Sequence, residues 1–290
     1  MERGVIVNQK RIFELGASTK RSPTGMGAVD RFGVGVLCVL AGFALLMLIA
    51  PSAIIIAISF TEKAYIGFPP SGFSFKWYLE LLDKQQLIDS AVTSLKVAFF
   101  TTVLALTIGI PAAFSLVRGR FFGRSGITAF VVAPQMLPGM VIGIALLFFG
   151  ASFGIYQSNA LVIIAMTVFC LPFAIRVAMA RLAIMDSTLD EASTSLGASR
   201  IETFFRITIP QLMPAIVAGG AFVFIEAFDN ITVALFTASP RSRPLAVELY
   251  NLVQFDSSPI VAALSSLEIL FAFVIMLVLA RSVGLDRLRT

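Results

Sequence analysis

Along this chain, apolar positions gather into long runs rather than into the short alternations of strands or the stripes of amphipathic helices. Six stretches, at about 32–60, 88–117, 127–149, 160–180, 212–238 and 259–280, are each long enough to form a helix that crosses a bilayer. The pattern predicts an all-α integral membrane protein with six transmembrane helices. The polar, basic segment 1–31 precedes an apolar run too long for a signal-peptide core, so the first run is expected to be a retained anchor. The expected organisation is a tail (1–31), a first span (32–60), an outer segment with an interfacial helix (61–87), a five-helix core (88–280) and a second tail (281–290).

Six spans place both termini on one side, and the loops can then be compared for Lys and Arg. One set holds Arg3, Lys10, Arg11, Lys20, Arg21 and Arg31 in the first tail, and Arg118, Arg120 and Arg124 between the second and third runs. To these it adds Arg176, Arg181, Arg200 and Arg206 between the fourth and fifth, and Arg281, Arg287 and Arg289 at the end. The other set holds Lys63, Lys76, Lys84, Arg241 and Arg243, with Lys96 just inside a span. Basic residues favour the cytoplasmic side, so both termini and the segment 181–211 are expected there. On the other side, "GFPPSGFSFKWYLELL" predicts a short surface helix whose Trp77 and Tyr78 suit the headgroup layer. Residues 239–259 form either a functional outer segment or a solvated connection. Asp256, Ser257 and Ser258 before Pro259 make a good start for the last helix.

Composition supports lipid as the main solvent: 58% of residues are hydrophobic and 13% charged, about half the charged share of a soluble domain. With no histidine, and with both cysteines (Cys38 and Cys170) inside apolar runs, neither a metal site, a disulfide nor a nucleophile–base pair is expected. The net charge of +5 follows the loop pattern and does not call for nucleic acid. An enzyme is therefore not expected.

The polar stretch "EASTSLGASRIETFFRITIPQLMP" is the exception to the lipid pattern. Ser187 with Asp190, and Ser199 with Glu202, have capping-box spacing, so two short helices are expected, separated at Gly197 and ended by Pro210 and Pro214. Ala192 and Ser193 keep one face small, while Leu189, Leu196, Phe204 and Phe205 offer apolar anchors. The unit is either a peg for a partner protein or an amphipathic connector on the inner leaflet.

Inside the runs, ionisable groups cost about 2.5–3.5 kcal/mol each at mid-depth. Glu226 and Asp229 share a face with Asn230 beside them, Glu268 lies near the middle of the sixth run, and Lys96 is at a depth comparable with Asp229. Either Lys96 pairs with Asp229 or Glu226 to fix packing, or the carboxylates line a route for a cation. Gln135 is a further lining candidate. Pro134 and Pro138 interrupt the third run, Pro111 the second and Pro172 the fourth.

The polar stretch resembles the cytoplasmic coupling motif of binding-protein-dependent ABC importer permeases, a Glu-Ala-Ala pattern followed by Gly and then Leu-Pro. Glu191, Ala192, Ser193, Gly197, Ile209 and Pro210 occupy those places, with Ser193 and Ile209 as conservative departures. "FPPSGFSFKWY" and "FDNITVALF" are similar to the spermidine/putrescine-type permeases.

The resemblance implies the type I importer permease fold and a bacterial inner-membrane location. It also implies two cytoplasmic ATP-binding subunits, a second permease (in that subfamily a homologue) and an extracytoplasmic solute-binding protein. No Gly-x-x-x-x-Gly-Lys-Ser/Thr is present, so ATP and Mg would sit on the partner subunits and this chain would bind no cofactor. The expected function is passage of a small, cationic, polyamine-like solute by alternating access. The competing reading is a stand-alone carrier that uses its intramembrane carboxylates for ion coupling.

Overall fold

The computed structural model describes residues 28–256 and 258–282. The first tail as far as residue 27, Ser257 and residues 283–290 lie outside the described residues. The chain separates into two units between Ala53 and Ile54. The described part of the first unit is helical and belongs to α1 (Ala28–Ile58), whose apolar span from Gly33 has none of its most apolar window buried.

The second unit is a helical bundle centred on three long helices. These are α3 (Gln85–Arg118), α6 (Asn159–Ile184) and α9 (Ile209–Asp229). Small residues let them approach closely: a methyl group added at Gly109 of α3 would lie 3.1 Å from Ala174 Cβ of α6. One added at Gly220 of α9 would lie 3.0 Å from Leu106 of α3. Close backbone approach is how helices gain packing energy in lipid, where the hydrophobic drive between them is absent. Val97, Ala98, Ala105, Val162, Ala165, Met166 and Val223 fill the centre, and Ile110, Leu116, Ile175, Leu182 and Leu212 fill one end.

The third apolar run is not one straight span. It forms α4 (Arg124–Val132), a 3-10 turn (Ala133–Met136) and α5 (Gly139–Ser152), with the two halves bent by 105°. Pro134 and Pro138 each remove a backbone donor in the space of five residues, so no α-helix can continue through them. Among the described residues, five helices are thus long and apolar enough to cross a membrane, or six if the bent pair counts as one span. By contrast, Pro111 and Pro172 do not break their spans. Each lies inside an uninterrupted helix, and losing one backbone hydrogen bond is tolerated where neighbouring helices hold the segment.

The fifth run is also divided. α9 stops at Asp229, and α10 (Ile231–Thr237) starts after Asn230. Gly143 of α5 packs so closely against α10 that an added methyl would lie 3.2 Å from Val233 Cα and from the Thr232 carbonyl oxygen.

The segment after α1 holds the expected short helix, α2 (Lys76–Asp83), but Trp77 does not face a headgroup layer. It is 4% exposed, packs with Leu81, Leu87, Leu245, Ile260 and Leu264, and its indole N–H donates to the Thr61 carbonyl at 2.8 Å. A buried indole needs such a partner. Tyr78 Oη bonds Ser59 Oγ and Ser266 Oγ, each at 2.7 Å, joining α2 to the last helix. Residues 239–259 are largely the helix α11 (Leu245–Phe255), followed by α12 (Ile260–Ser282). Ahead of α12, Asp256 Oδ1 accepts from the Ser258 N–H at 3.1 Å, and Ser258 Oγ from the Ile260 N–H at 3.3 Å.

Candidate coupling loop and intramembrane carboxylates

The polar stretch leaves α6 at Met185, whose carbonyl accepts from Arg118 Nη2 at the end of α3 (2.9 Å). Asp186 Oδ1 then accepts from the Thr188 N–H at 3.0 Å, and this bond, the Thr188 hydroxyl and the nearby Arg118 hold its carboxyl below the usual carboxylate range. The expected capping box at Ser187 and Asp190 does not form. Ser187 Oγ instead donates to Glu191 at 3.2 Å, and Asp190 turns away to accept from Thr208 Oγ1 at 3.1 Å.

Helix α7 (Thr188–Ser195) closes in a two-bond C-terminal cap. Ala198 N–H bonds the Ser193 carbonyl (3.2 Å) and Gly197 N–H the Thr194 carbonyl (3.1 Å). Gly197 has φ +91°, a region that side-chain-bearing residues adopt only at a cost.

The second capping box does form. Ser199 Oγ accepts from the Glu202 N–H (3.2 Å), and Glu202 accepts from the Ser199 N–H (3.1 Å). It opens α8 (Arg200–Thr203), which passes through a π-turn (Phe204–Thr208) directly into α9. Pro210 and Pro214 therefore do not end this helix. Pro210 sits in the first turn of α9, where the wider π-turn already interrupts the regular ladder, so little bonding is lost to its missing N–H.

The loop is tied to itself by Ser193 Oγ with Thr203 Oγ1 (2.9 Å) and to α3 by the Phe204 ring, 5.1 Å from that of Phe114. Phe204 is thus an inward anchor. Glu191, Ala192 and Ser199 are exposed, and Ser193 is half-buried. The outward apolar set is Leu196 (89% exposed), Ile201 (70%), Phe205 (62%) and Leu189 (54%). Four large apolar side chains crowd a stretch of fewer than twenty residues and are more than half exposed among the described residues. Beside them is an open cavity of about 630 Å³, with Arg118, Arg120, Arg200, Asp190 and Glu191 on its walls.

At the other end of α9 are the ionisable residues. Asn230 caps α10, its Oδ1 accepting from the Val233 N–H and Thr232 Oγ1, while its Nδ2 donates to Glu226 Oε1, all at 3.0 Å. Asp229 is exposed and within electrostatic reach of both Glu226 and Glu268. The Phe228 and Phe271 rings, 4.9 Å apart, hold α9 to α12 there. Glu268 is half-buried, and its Oε1 has no hydrogen-bond partner among the described residues.

Of the two alternatives for Lys96, an ion pair with Asp229 or Glu226 is not present: among the described residues no carboxylate lies within 4.0 Å of Lys96. The buried face of α3 there carries Ser94, Val97 and Ala98, and Lys96 is on the exposed side with Leu95 and Phe99. Among the described residues, Gln135, half-buried in the 3-10 turn, has an Nε2 without a hydrogen-bond partner and makes no hydrogen bond to the carboxylates. No group of three His, Cys, Asp or Glu able to hold a metal occurs among the described residues.

Sequence reasoning missed Ser94 and Glu248. Ser94 Oγ accepts from the Leu245 N–H (2.8 Å) and donates to the Phe228 carbonyl (3.3 Å), bridging α3, α9 and α11. Glu248 is 7% exposed. Its only signal was an acid following the apolar triplet Leu245–Ala246–Val247.

Comparison with known proteins gives a consistent assignment. Residues 105–285 match the profile of the family described as "Binding-protein-dependent transport system inner membrane component". The chain is 30% identical over 226 residues to the spermidine/putrescine transport system permease protein PotC of Haemophilus influenzae, covering 78% of this chain and 88% of that one. To the putrescine transport system permease protein PotI of Escherichia coli it is 30% identical over 239 residues, covering 80% and 84%. Among solved structures, a bacterial ABC transporter involved in alginate import aligns with a TM-score of 0.71 at 18% identity, over 90% of this chain and 99% of that one. That likeness is one of fold. The chain belongs to the family of binding-protein-dependent transport system inner membrane components, the multi-span permeases of ABC importers.

Proposed function

We propose that this chain carries a small cationic solute of polyamine type through the inner membrane, driven by ATP hydrolysed on separate subunits. In this reading Glu191–Pro210 docks onto a cytoplasmic ATP-binding subunit, present in two copies, which holds the ATP and Mg. The second permease is a homologue of this chain, and an extracytoplasmic binding protein delivers the solute. Both termini and the loop 181–211 are cytoplasmic.

Two features of the chain support the coupling part. Leu196, Ile201 and Phe205 stand uncovered, as anchors for a partner's groove should. The loop is also rigidly joined to what it would move, because Asp190–Thr208 and Ser193–Thr203 fasten α7 to the start of a helix continuous from Arg200 to Asp229. Thirty residues of helix span about 45 Å. A displacement of the docked loop therefore reaches Glu226 and Asp229 as a rigid-body motion, which suits alternating access.

The single observation that carries the solute assignment is the group Glu226, Asp229 and Glu268, placed where α9 breaks, with no cationic side chain paired to any of them among the described residues. Carboxylates left without a counter-ion in a membrane segment are costly and mark the path of a cation. The relatives named above for spermidine and putrescine agree with this.

The test is putrescine and spermidine uptake by the reconstituted transporter with saturating loaded binding protein. Glu226→Gln combined with Asp229→Asn should lower uptake by about tenfold or more while binding-protein-stimulated ATPase persists. Uptake at the wild-type rate would remove these carboxylates from the pathway.

A further inference from the structure

At the end of α3 remote from the coupling loop is a second, smaller cavity of about 270 Å³. Its walls include Gln86, Asp89 and Thr93 of α3, Arg241, Ser242 and Arg243 of the turn before α11, and Glu248 of α11. Glu248 is buried there because the first turn of α11 is pressed onto α3. The Leu245 N–H bonds Ser94, Thr93 Oγ1 meets Ser242 Oγ at 3.3 Å, and Leu245, Ala246 and Val247 are themselves buried.

A buried carboxylate needs close compensation, and Glu248 has only half of it. Oε1 accepts a short bond from Gln86 Nε2 (2.6 Å), while Oε2 accepts no hydrogen bond among the described residues. The nearest cation, Arg243 Nη1, lies 3.7 Å from Oε2, beyond the roughly 2.7–2.9 Å of a charge-assisted hydrogen bond. The two partners also differ in freedom. The Glu248 side chain is 9% exposed and fixed by Gln86, whereas that of Arg243 is 38% exposed. An arginine serving purely as a clamp would close that gap with its planar fork. Here the anion is the buried partner and the cation, 3.7 Å away, the more exposed one, at the edge of the polar cavity.

Given the cationic solute proposed above, on which this rests, we infer that the cavity is a receiving site for one alkylammonium group, with Glu248 as its fixed anion and Arg243 as the cation it displaces. A primary ammonium carries three donors. One can satisfy Glu248 Oε2, and the others have Asp89 and the Thr93 and Ser242 hydroxyls within the same cavity. Its volume is below the roughly 300–1,000 Å³ of sites that enclose a whole drug-sized ligand, so it takes one end of an extended molecule and leaves the rest outside. The exchange is of one ion pair for another and leaves the buried charge compensated throughout. With the termini cytoplasmic, as proposed above, this end of α3 is extracytoplasmic, on the side from which the solute is delivered.

The experiment measures equilibrium binding of labelled putrescine to the complete permease–ATPase complex in nanodiscs, without binding protein, beside uptake by the same complex with it. Glu248→Gln should weaken putrescine binding about tenfold, the fold-change of one lost charge-assisted hydrogen bond. Arg243→Gln, which removes the competitor, should tighten it. Shifts in opposite directions support the exchange, because a structural clamp broken from either side weakens the complex both ways. Shifts in the same direction, or none, in a wild-type complex that does import putrescine would overturn this site and leave the cationic solute standing. A wild-type complex that imports neither putrescine nor spermidine would overturn both.

Discussion

The turn at Gly197 is the most economical place to perturb coupling without touching the pathway. Its φ of +91° is in the region where a side chain on an L-residue meets its own backbone, while an added Cβ has nothing else within 4 Å. Gly197→Ala therefore introduces backbone strain of about 1–2 kcal/mol and no steric clash. Against it stand the hydroxyl bonds Asp190–Thr208 and Ser193–Thr203, each contributing about 0.5–1.5 kcal/mol net. Strain and restraint are of similar size, so the ordered loop should lose a factor of about 5–30 in population.

The bundle core is distant and should not unfold. In the reconstituted transporter, solute import should fall while basal ATPase activity remains, and hydrogen exchange should speed up over residues 187–199 alone. Gly197→Asn, which tolerates positive φ, should retain most of the function. If Gly197→Ala imports solute at the wild-type rate with unchanged exchange, the rigid-loop account of coupling is wrong.

Two further outcomes follow from the packing. A double-mutant cycle with Asp190→Asn and Thr208→Val should give a coupling of about 1 kcal/mol in the local stability of α7, read from hydrogen exchange, since the two atoms bond at 3.1 Å. Gly143→Val should lower stability in detergent by about 1–3 kcal/mol, because its Cβ would press on backbone atoms of α10 that have no side-chain freedom to yield. Gly126→Ala, facing open space, should change little.

How much of this was legible in the chain depends on the length scale of the cause. Run length located the spans but not the breaks in the third and fifth runs, because a bilayer core imposes its thickness on an apolar helix while local bonding decides where it bends. The Gly197 turn and the Ser199–Glu202 box were readable because both are made within four residues. Ser187 was misjudged for the complementary reason: Asp190, its expected partner, is claimed by Thr208, eighteen positions away. The short helix of Trp77 looks amphipathic alone and so predicts a surface position, yet Ile260 and Leu264 cover the ring from the far end of the sequence. Pro111 and Pro134 are the same residue with opposite effects, since only Pro134 has a second proline close enough to exhaust the local bonding. Depth alone leaves open whether Lys96 pairs with Asp229 or Glu226, because helix rotation decides contact, and the small residues packed against α6 and α9 turn Lys96 outward.

The central claim is that this permease moves a polyamine only when a separate subunit hydrolyses ATP. The direct measurement is uptake of labelled putrescine into proteoliposomes holding either this chain alone or the complete transporter, with ATP and an ion gradient varied independently. The account predicts uptake by the complete transporter alone, requiring ATP and the binding protein and indifferent to ionophores. Uptake by this chain without partners, driven by the gradient and abolished when it is dissipated, would contradict it and identify the carboxylates of α9 and α12 as ion-coupling groups.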